Sequence, residues 1–225
     1  MSVIINNLWS DLQEWKRLPP DALNKLLDDA AGLTLERWRQ IKPTTPEERI
    51  NFYALYAFEL SEGVKRHLQD GRKLWLHDLV TLAGEENWQK VLDFGCGIGS
   101  DGLVLAEAGL EVHFLDVLNS AFNFARWRAV KYGFKKTKFF LLQPVSQHYD
   151  CIICVDVLGH TANPRKAIIE LMRWTHNLWL LDNIHEGHED YHEGVQVIHG
   201  PLASQHFNQI RPHLWRRDET AFDRV

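Results

Sequence analysis

The sequence predicts an α/β fold: a mostly parallel sheet flanked by helices and preceded by a helical N-terminal segment. Three observations predict it. From Trp88 onward, short apolar runs alternate with amphipathic stretches, the pattern of repeated strand–helix–strand units. The runs at 90–94, 111–116, 138–142, 151–155 and 178–182 are almost unbrokenly apolar, as strands covered on both faces must be. Before Trp88 no such runs occur, and the apolar residues instead recur at helical spacing. The expected division is residues 1–88 as a helical cap over substrate and cofactor, and 89–225 as the core.

The cap reads as follows. Helices are expected near 22–30 and 33–41, with Lys42-Pro43-Thr44 breaking the pattern. Thr45-Pro46-Glu47-Glu48 then opens a longer helix. Thr45 can cap it, Pro46 suits its first position, and Glu48 completes a capping box. Ile50, Tyr53, Ala54, Ala57, Phe58, Val64 and Leu68 keep helical spacing up to an expected end near Gly71. A further helix over 72–82 would be closed by Gly84. In the core, helices are expected over 101–108, 120–131 and 164–175. After Asn183 there is room for about one helix and one or two short strands, too little for a full antiparallel finishing hairpin.

Composition narrows the function classes. The chain has 225 residues, 45% hydrophobic and 24% charged, with a formal charge of −5. That length supports a buried core without disulfide or metal staples, and the composition excludes collagen-like and low-complexity chains. The mildly acidic balance argues against nucleic acid as the main partner, which needs a basic surface. Three cysteines point to a reducing compartment, so the expected location is the cytoplasm. The N-terminus lacks the pattern of a signal peptide, and no run of 18 uninterrupted apolar residues is present to span a membrane.

The most informative stretch is Val91-Leu92-Asp93-Phe94-Gly95-Cys96-Gly97-Ile98-Gly99-Ser100-Asp101, a buried strand running through a Gly-x-Gly-x-Gly turn into a helix. Glycines there let the backbone turn sharply and approach a ligand closely, and Cys96 fits because the turn wants a small residue. The next strand ends in Asp116, 17 residues beyond Gly99, where a carboxylate can accept hydrogen bonds from both ribose hydroxyls of a nucleoside. A dinucleotide usually takes Gly-x-Gly-x-x-Gly; the carboxylate of Asp93 suits a ligand carrying ammonium and sulfonium groups better than a pyrophosphate. That favours S-adenosylmethionine.

With these residues in place, the sequence resembles the class I S-adenosylmethionine-dependent methyltransferases, of Rossmann-like fold. VLDFGCGIG looks like that family's first motif and VHFLDV like its second. YDCIICVDVLGHTANPRKAIIELMRW is similar to the fourth-strand region of its small-molecule members. The resemblance covers Trp88 to about Asp182. It implies that Asp93, Gly95, Cys96, Gly97 and Gly99 line the cofactor site around the methionine moiety, that Asp116 binds the ribose, and that Val117 packs on adenine. Gln143 would stand near the adenine amino group, where relatives often have Asp. Asp156 and Val157 would face the methyl-transfer centre. Gly159 departs from the family, which often has Glu there, leaving Asp156 and His160 as the polar pair on that strand tip.

His160 is the first candidate for a general base, because imidazole titrates near neutrality; the bland alternative is a histidine that only closes a loop. Asp156 is the second catalytic candidate and a further cofactor contact, or else a loop cap. Tyr53 and Tyr56 on the long cap helix are substrate-binding candidates, although an aromatic stripe at that spacing is usually core. His185 is a third, on a loop after the fifth strand. The run from His185 through His188 to His192 has ligand-like spacing, but Gly187 works against a helix there and an exposed polar loop is expected, so no metal is predicted. Cys151 and Cys154 lie three apart on a strand, hence on opposite faces, and cannot share zinc or pair easily. The expected function is methyl transfer from S-adenosylmethionine to an O, N or S atom of a small or medium metabolite. The alternatives are a protein or peptide side-chain methyltransferase, or an inactive cofactor-binding regulatory subunit. Neither an Asp/Asn-Pro-Pro-Tyr tetrad nor a Pro-Cys nucleophile of nucleic-acid methyltransferases is present.

Overall fold

A computed structural model describes residues 2–30, 33–55, 60–68, 70–142, 147–161, 163–181 and 207–218. Among these residues seven helices come first: α1 (Val3–Asn6), α2 (Leu8–Lys16), α3 (Pro20–Asp29), α4 (Leu33–Ile41), α5 (Pro46–Leu55), α6 (Leu60–His67) and α7 (Asp70–Glu85). The alternating part follows as β1 (Lys90–Phe94), α8 (Ser100–Glu107), β2 (Glu111–Asp116), α9 (Ser120–Lys131), β3 (Thr137–Leu141) and β4 (Cys151–Val155). A 3₁₀ turn at Leu158–His160 leads to α10 (Pro164–Trp174), β5 (Asn177–Leu181), β6 (Phe207–Arg211) and β7 (Leu214–Arg217).

The seven strands form one sheet in the order β3-β2-β1-β4-β5-β7-β6. The first five are parallel to their neighbours; β7 pairs antiparallel with β5, and β6 antiparallel with β7. A finishing hairpin is therefore present, contrary to expectation. Its two strands are only five and four residues long, and a mostly polar outer strand (Asn208, Gln209 and Arg211 are exposed) hides the apolar signal of an edge strand. The chain order reverses between β1 and β4, so the crevice at the carboxyl ends of those strands is where such sheets take ligands.

Strand alternation divides the core. Val91, Val112, Phe114, Cys151 and Ile153 face α1, α7 and α8. Leu92, Leu115, Ile152, Cys154 and Leu178 face α10. Cys151 and Cys154 thus lie on opposite sides of the sheet, both buried and unbridged. A third cluster joins Leu8, Leu12, Leu23, Leu60 and Val64 of the N-terminal helices to Ile98 in the glycine turn and to Ala121 and Phe124 of α9. The helical cap is thereby packed directly onto the turn.

A buried polar network ties the same parts together. Arg128 and Asp11, both fully buried, pair at 2.9 Å; Lys131 and Tyr132 each reach the other Asp11 oxygen at 2.8 Å. Arg128 also donates to Ser100 Oγ at 3.3 Å, at the start of α8. Removing one member of such a network leaves a buried charge uncompensated.

Two cap boundaries differ from expectation. Gly71, the expected end of the helix that opens at Thr45, lies inside α7; of that expected helix α5 and α6 are described, and residues 56–59 lie outside the described residues. Nor does Gly84 end α7. The stop is Asn87 in the left-handed region (φ 54°), with Trp88 N–H donating to Ala83 C=O at 2.9 Å, and asparagine tolerates that position. The capping box at α5 is formed: Glu48 N–H donates to Thr45 Oγ1 at 3.2 Å and Thr45 N–H to Glu48 Oε2 at 2.9 Å.

Candidate functional site

A cavity of about 250 Å³ opens at the carboxyl ends of β1, β2 and β4, roofed by α5 and α6. Its floor is the glycine turn. Gly95, Gly97 and Gly99 all have positive φ (71°, 52° and 71°), conformations in which a side chain is strained. At Gly95 a Cβ would come within 2.4 Å of Val157, so only glycine lets the tip beyond β4 close over the turn. At Gly97 a Cβ would meet nothing within 4 Å; the backbone there faces open cavity.

Asp116, at the tip of β2, stands beside Gly97. Its Oδ2 accepts the Gly97 N–H at 2.7 Å and its Oδ1 accepts the Val117 N–H at 2.7 Å. Burial pushes its pKa up from 3.8 to about 6, while these two donors hold it down. Each carboxylate oxygen has two lone pairs, so after two backbone bonds Asp116 retains acceptor capacity toward the cavity it lines. Asp93 is also at the floor, buried, with Oδ2 accepting the Gly102 N–H of α8 at 3.0 Å. Cys96 Sγ lies among these acids. Burial first, then Asp116, Asp93 and Asp101, push its thiol well above the ordinary range, which disfavours a thiolate nucleophile.

The wall of the cavity beyond β4 begins at Asp156, a non-glycine residue at φ 54° whose N–H donates to Leu181 C=O at 2.8 Å. Backbone held in this sparsely populated region concentrates at functional sites. Here it turns the chain so that Val157 covers Gly95 and the following 3₁₀ turn presents His160 to the cavity. His160 Nδ1 lies 2.8 Å from Tyr53 Oη on the cap, with the rings 5.1 Å apart. Two sequence candidates 107 residues apart are thus brought into one hydrogen bond. Asn119 fastens the same tyrosine from the other side: its Nδ2 donates to Tyr53 C=O at 3.3 Å, while its Oδ1 caps α9 through Phe122 N–H at 2.8 Å.

Of the remaining candidates, Val117 and Asp156 line the cavity. Gly99 does not. It is buried at the N-terminus of α8, where a Cβ would come within 2.6 Å of Ala125, so its part is helix packing. Tyr56, Gln143 and His185, and with it the histidine-rich loop, lie outside the described residues. Among the described residues no group of three potential metal ligands converges.

Sequence reasoning missed the basic roof. Arg49, Arg66 and His67 all line the cavity. Arg66 pairs with the buried Glu62 at 2.9 Å, which also accepts from Thr34 Oγ1 at 2.6 Å. Arg49 lies over the Trp38 ring, 5.3 Å from its centroid. The available signal was spacing: Arg49 is four residues before Tyr53 and shares its helix face.

Residues 92–177, from within β1 to the start of β5, match the family described as "Methyltransferase domain". The ubiquinone biosynthesis O-methyltransferase of Yersinia pestis (strain Pestoides F) is 30% identical over 112 residues, 48% of this chain and 46% of that protein. The enzyme of the same description from Bordetella avium (strain 197N) is 28% identical over 101 residues, 42% of this chain and 40% of that protein. The chain spans less than half the length of these relatives. Similar solved structures include an S-adenosylmethionine-dependent methyltransferase from Clostridium acetobutylicum ATCC 824. It shows 16% identity and a TM-score of 0.43, over 47% of this chain and 48% of that one. Coclaurine N-methyltransferase bound to N-methylheliamine and SAH shows 18% identity and a TM-score of 0.44, over 78% of this chain and 56% of that one. The mostly parallel sheet with flanking helices is the α/β arrangement expected from the sequence.

Proposed function

We propose that the protein is an S-adenosylmethionine-dependent methyltransferase acting on an O, N or S atom of a small or medium metabolite. The observation that carries this reading is a single cavity in which the Asp116–Gly97 cradle and the His160–Tyr53 pair face the same space. The donor set fits the cofactor. Asp116 keeps acceptor capacity for vicinal hydroxyls, Gly97 presents bare backbone, and Asp93, Asp101 and Asp116 make the floor electronegative toward a sulfonium and an ammonium. When bound, S-adenosylmethionine supplies an activated methyl group on its sulfonium. Gly95, Cys96 and Gly97 would form the surface under it, with Val117 beside the base and Asp156 toward the transfer centre.

What the chain itself must do is position the acceptor, exclude water and take a proton where the acceptor carries one. With Nδ1 protonated, His160 donates to Tyr53 Oη and keeps a lone pair on Nε2, the base required for a hydroxyl nucleophile. Tyr53 fixes that ring, which a loop histidine alone would lack. This pair favours an enzyme over an inactive regulatory subunit.

Residues 1–88 would act as the cover and 89–225 as the cofactor-binding core. Among the described residues no helix is long and apolar enough to cross a membrane. Three buried, unbridged cysteines suit a reducing compartment such as the cytoplasm. Calorimetry with S-adenosylmethionine and its demethylated product tests the cofactor half, and binding of neither would end this reading. Transfer of labelled methyl to cell extract, followed by recovery of the labelled product, tests the enzyme and identifies the acceptor.

A further inference from the structure

We propose that Arg49 anchors an anionic group, a carboxylate or a phosphate, on the methyl acceptor; this deepens the methyltransferase reading and rests on it. The cavity is electrically divided. Its floor carries Asp93, Asp101 and Asp116, and its roof carries Arg49 and Arg66. The two roof arginines differ. Arg66 is neutralised by Glu62 at 2.9 Å, whereas no carboxylate among the described residues pairs with Arg49. Arg49 is half-buried, so its charge is not simply displayed to bulk water.

Its guanidinium is also held in place. It lies over Trp38, which is buried and set edge-to-face against Phe52 with ring centroids 5.1 Å apart. An aromatic partner restrains a guanidinium without consuming its N–H donors, which then remain in a fork suited to a planar or tetrahedral anion. A surface arginine awaiting only solvent has no need of such a seat.

Position supplies the specificity. Arg49 and Tyr53 are one helical turn apart on α5, and Tyr53 Oη reaches His160. An anion on Arg49 would therefore direct the rest of the acceptor along α5 toward the imidazole. The acidic floor repels the same anion, so the acceptor has one favourable orientation, with its negative end on the cap and its nucleophile toward the core. The acceptor class is thus a hydroxylated (or otherwise nucleophilic) molecule whose anionic group lies on the order of one helical turn from the reacting atom.

The test uses the full chain saturated with S-adenosylhomocysteine, titrated calorimetrically with benzoate, phenyl phosphate and the neutral benzamide. An anion should bind at least tenfold more tightly than benzamide, and the stronger of the two anions identifies the group. Arg49→Met should weaken that binding about 10- to 100-fold, as expected for a lost charge-assisted contact. Arg49→Lys, a point charge without the fork, should fall between. If Arg49→Met does not fold, Arg49→Gln carries the same comparison. Equal binding of anions and benzamide, no binding of any probe, or anion affinity that survives loss of the arginine charge overturns the assignment. Absence of S-adenosylhomocysteine binding in the unmutated protein would instead remove the methyltransferase reading beneath it.

Discussion

Replacing Asp116 by Asn separates stability from function. In the free protein Asp116 is ionised at pH 7 at a cost, because burial raises its pKa from 3.8 to about 6. That shift corresponds to about 3 kcal/mol of destabilisation at neutral pH, at about 1.4 kcal/mol per unit. Asparagine removes the charge but turns an amide donor toward either Gly97 N–H or Val117 N–H, leaving one unsatisfied at a cost of about 1–3 kcal/mol. The two effects oppose each other, so the free Asp116→Asn protein should be between equally stable and about 2 kcal/mol more stable at pH 7. The sign against pH follows. Asp116 binds its proton more tightly folded than unfolded, so its penalty vanishes below about 3.8 and is complete above about 6. Any advantage of the variant should therefore shrink as pH falls from 7 toward 4. Cofactor affinity behaves oppositely. The variant should bind S-adenosylhomocysteine about 1–3 kcal/mol more weakly at pH 7. In the unmutated protein affinity should fall as pH drops through about 6, with proton release on binding near that pH. Denaturant melts and calorimetry over this range read both quantities. A variant more than 2 kcal/mol less stable at pH 7, or a wild-type affinity flat between pH 5 and 7, would refute the reasoning.

Three further outcomes are expected. Gly97→Ala should cost about 1–2 kcal/mol of stability for its positive φ yet sharply weaken S-adenosylhomocysteine binding. Gly95→Ala adds a 2.4 Å clash with Val157 and should lose more stability in the same melts. His160→Gln should lower the transfer rate about 10²- to 10⁴-fold if the acceptor is a hydroxyl, with cofactor affinity unchanged. Tyr53→Phe should cost less and shift the pH–rate profile; full activity in His160→Gln would remove the base. Asp11→Ala, which strands the buried Arg128, should destabilise by about 3–5 kcal/mol in urea melts, and a change under 1 kcal/mol would mean the pair is not buried as described.

The β1 and β2 strands and the turn between them could be read because each local signal there agrees with the next. The apolar run to Phe94 demands burial, three glycines supply the positive φ values the turn requires, and Asp116 ends the second strand where β2 ends in space. The β6–β7 hairpin was not legible, since four of the five β6 residues are exposed and its polar residues look like loop. Arg49 and Asn119 were hidden for a different reason. Nothing in the local pattern of α5 says which of its faces is covered, because that is decided by Phe52 and Tyr53 packing on Trp38 of α4 and by the bonds of Tyr53 to Asn119 and His160. His160 was nameable as a candidate, but its partner could not be deduced, because Tyr53 is supplied by long-range packing and not by spacing.

That long-range supply is how the proposed cap would lend specificity to the proposed core. Tyr53 is fastened twice: through its carbonyl by Asn119, three residues beyond Asp116, and through its hydroxyl by His160. The helix that carries the cavity-lining Tyr53 and Arg49 is therefore registered against the same loop that carries the ribose-binding candidate. A shift of α5 along the cavity would break the Asn119 bond, the His160 bond, or both. Loss of the phenol hydroxyl alone leaves the carbonyl bond and the ring packing on Trp38 and Phe52 in place. The ring of His160 would then lose its partner while α5 kept its position, so Tyr53→Phe should act on the proton-transfer step far more than on acceptor affinity.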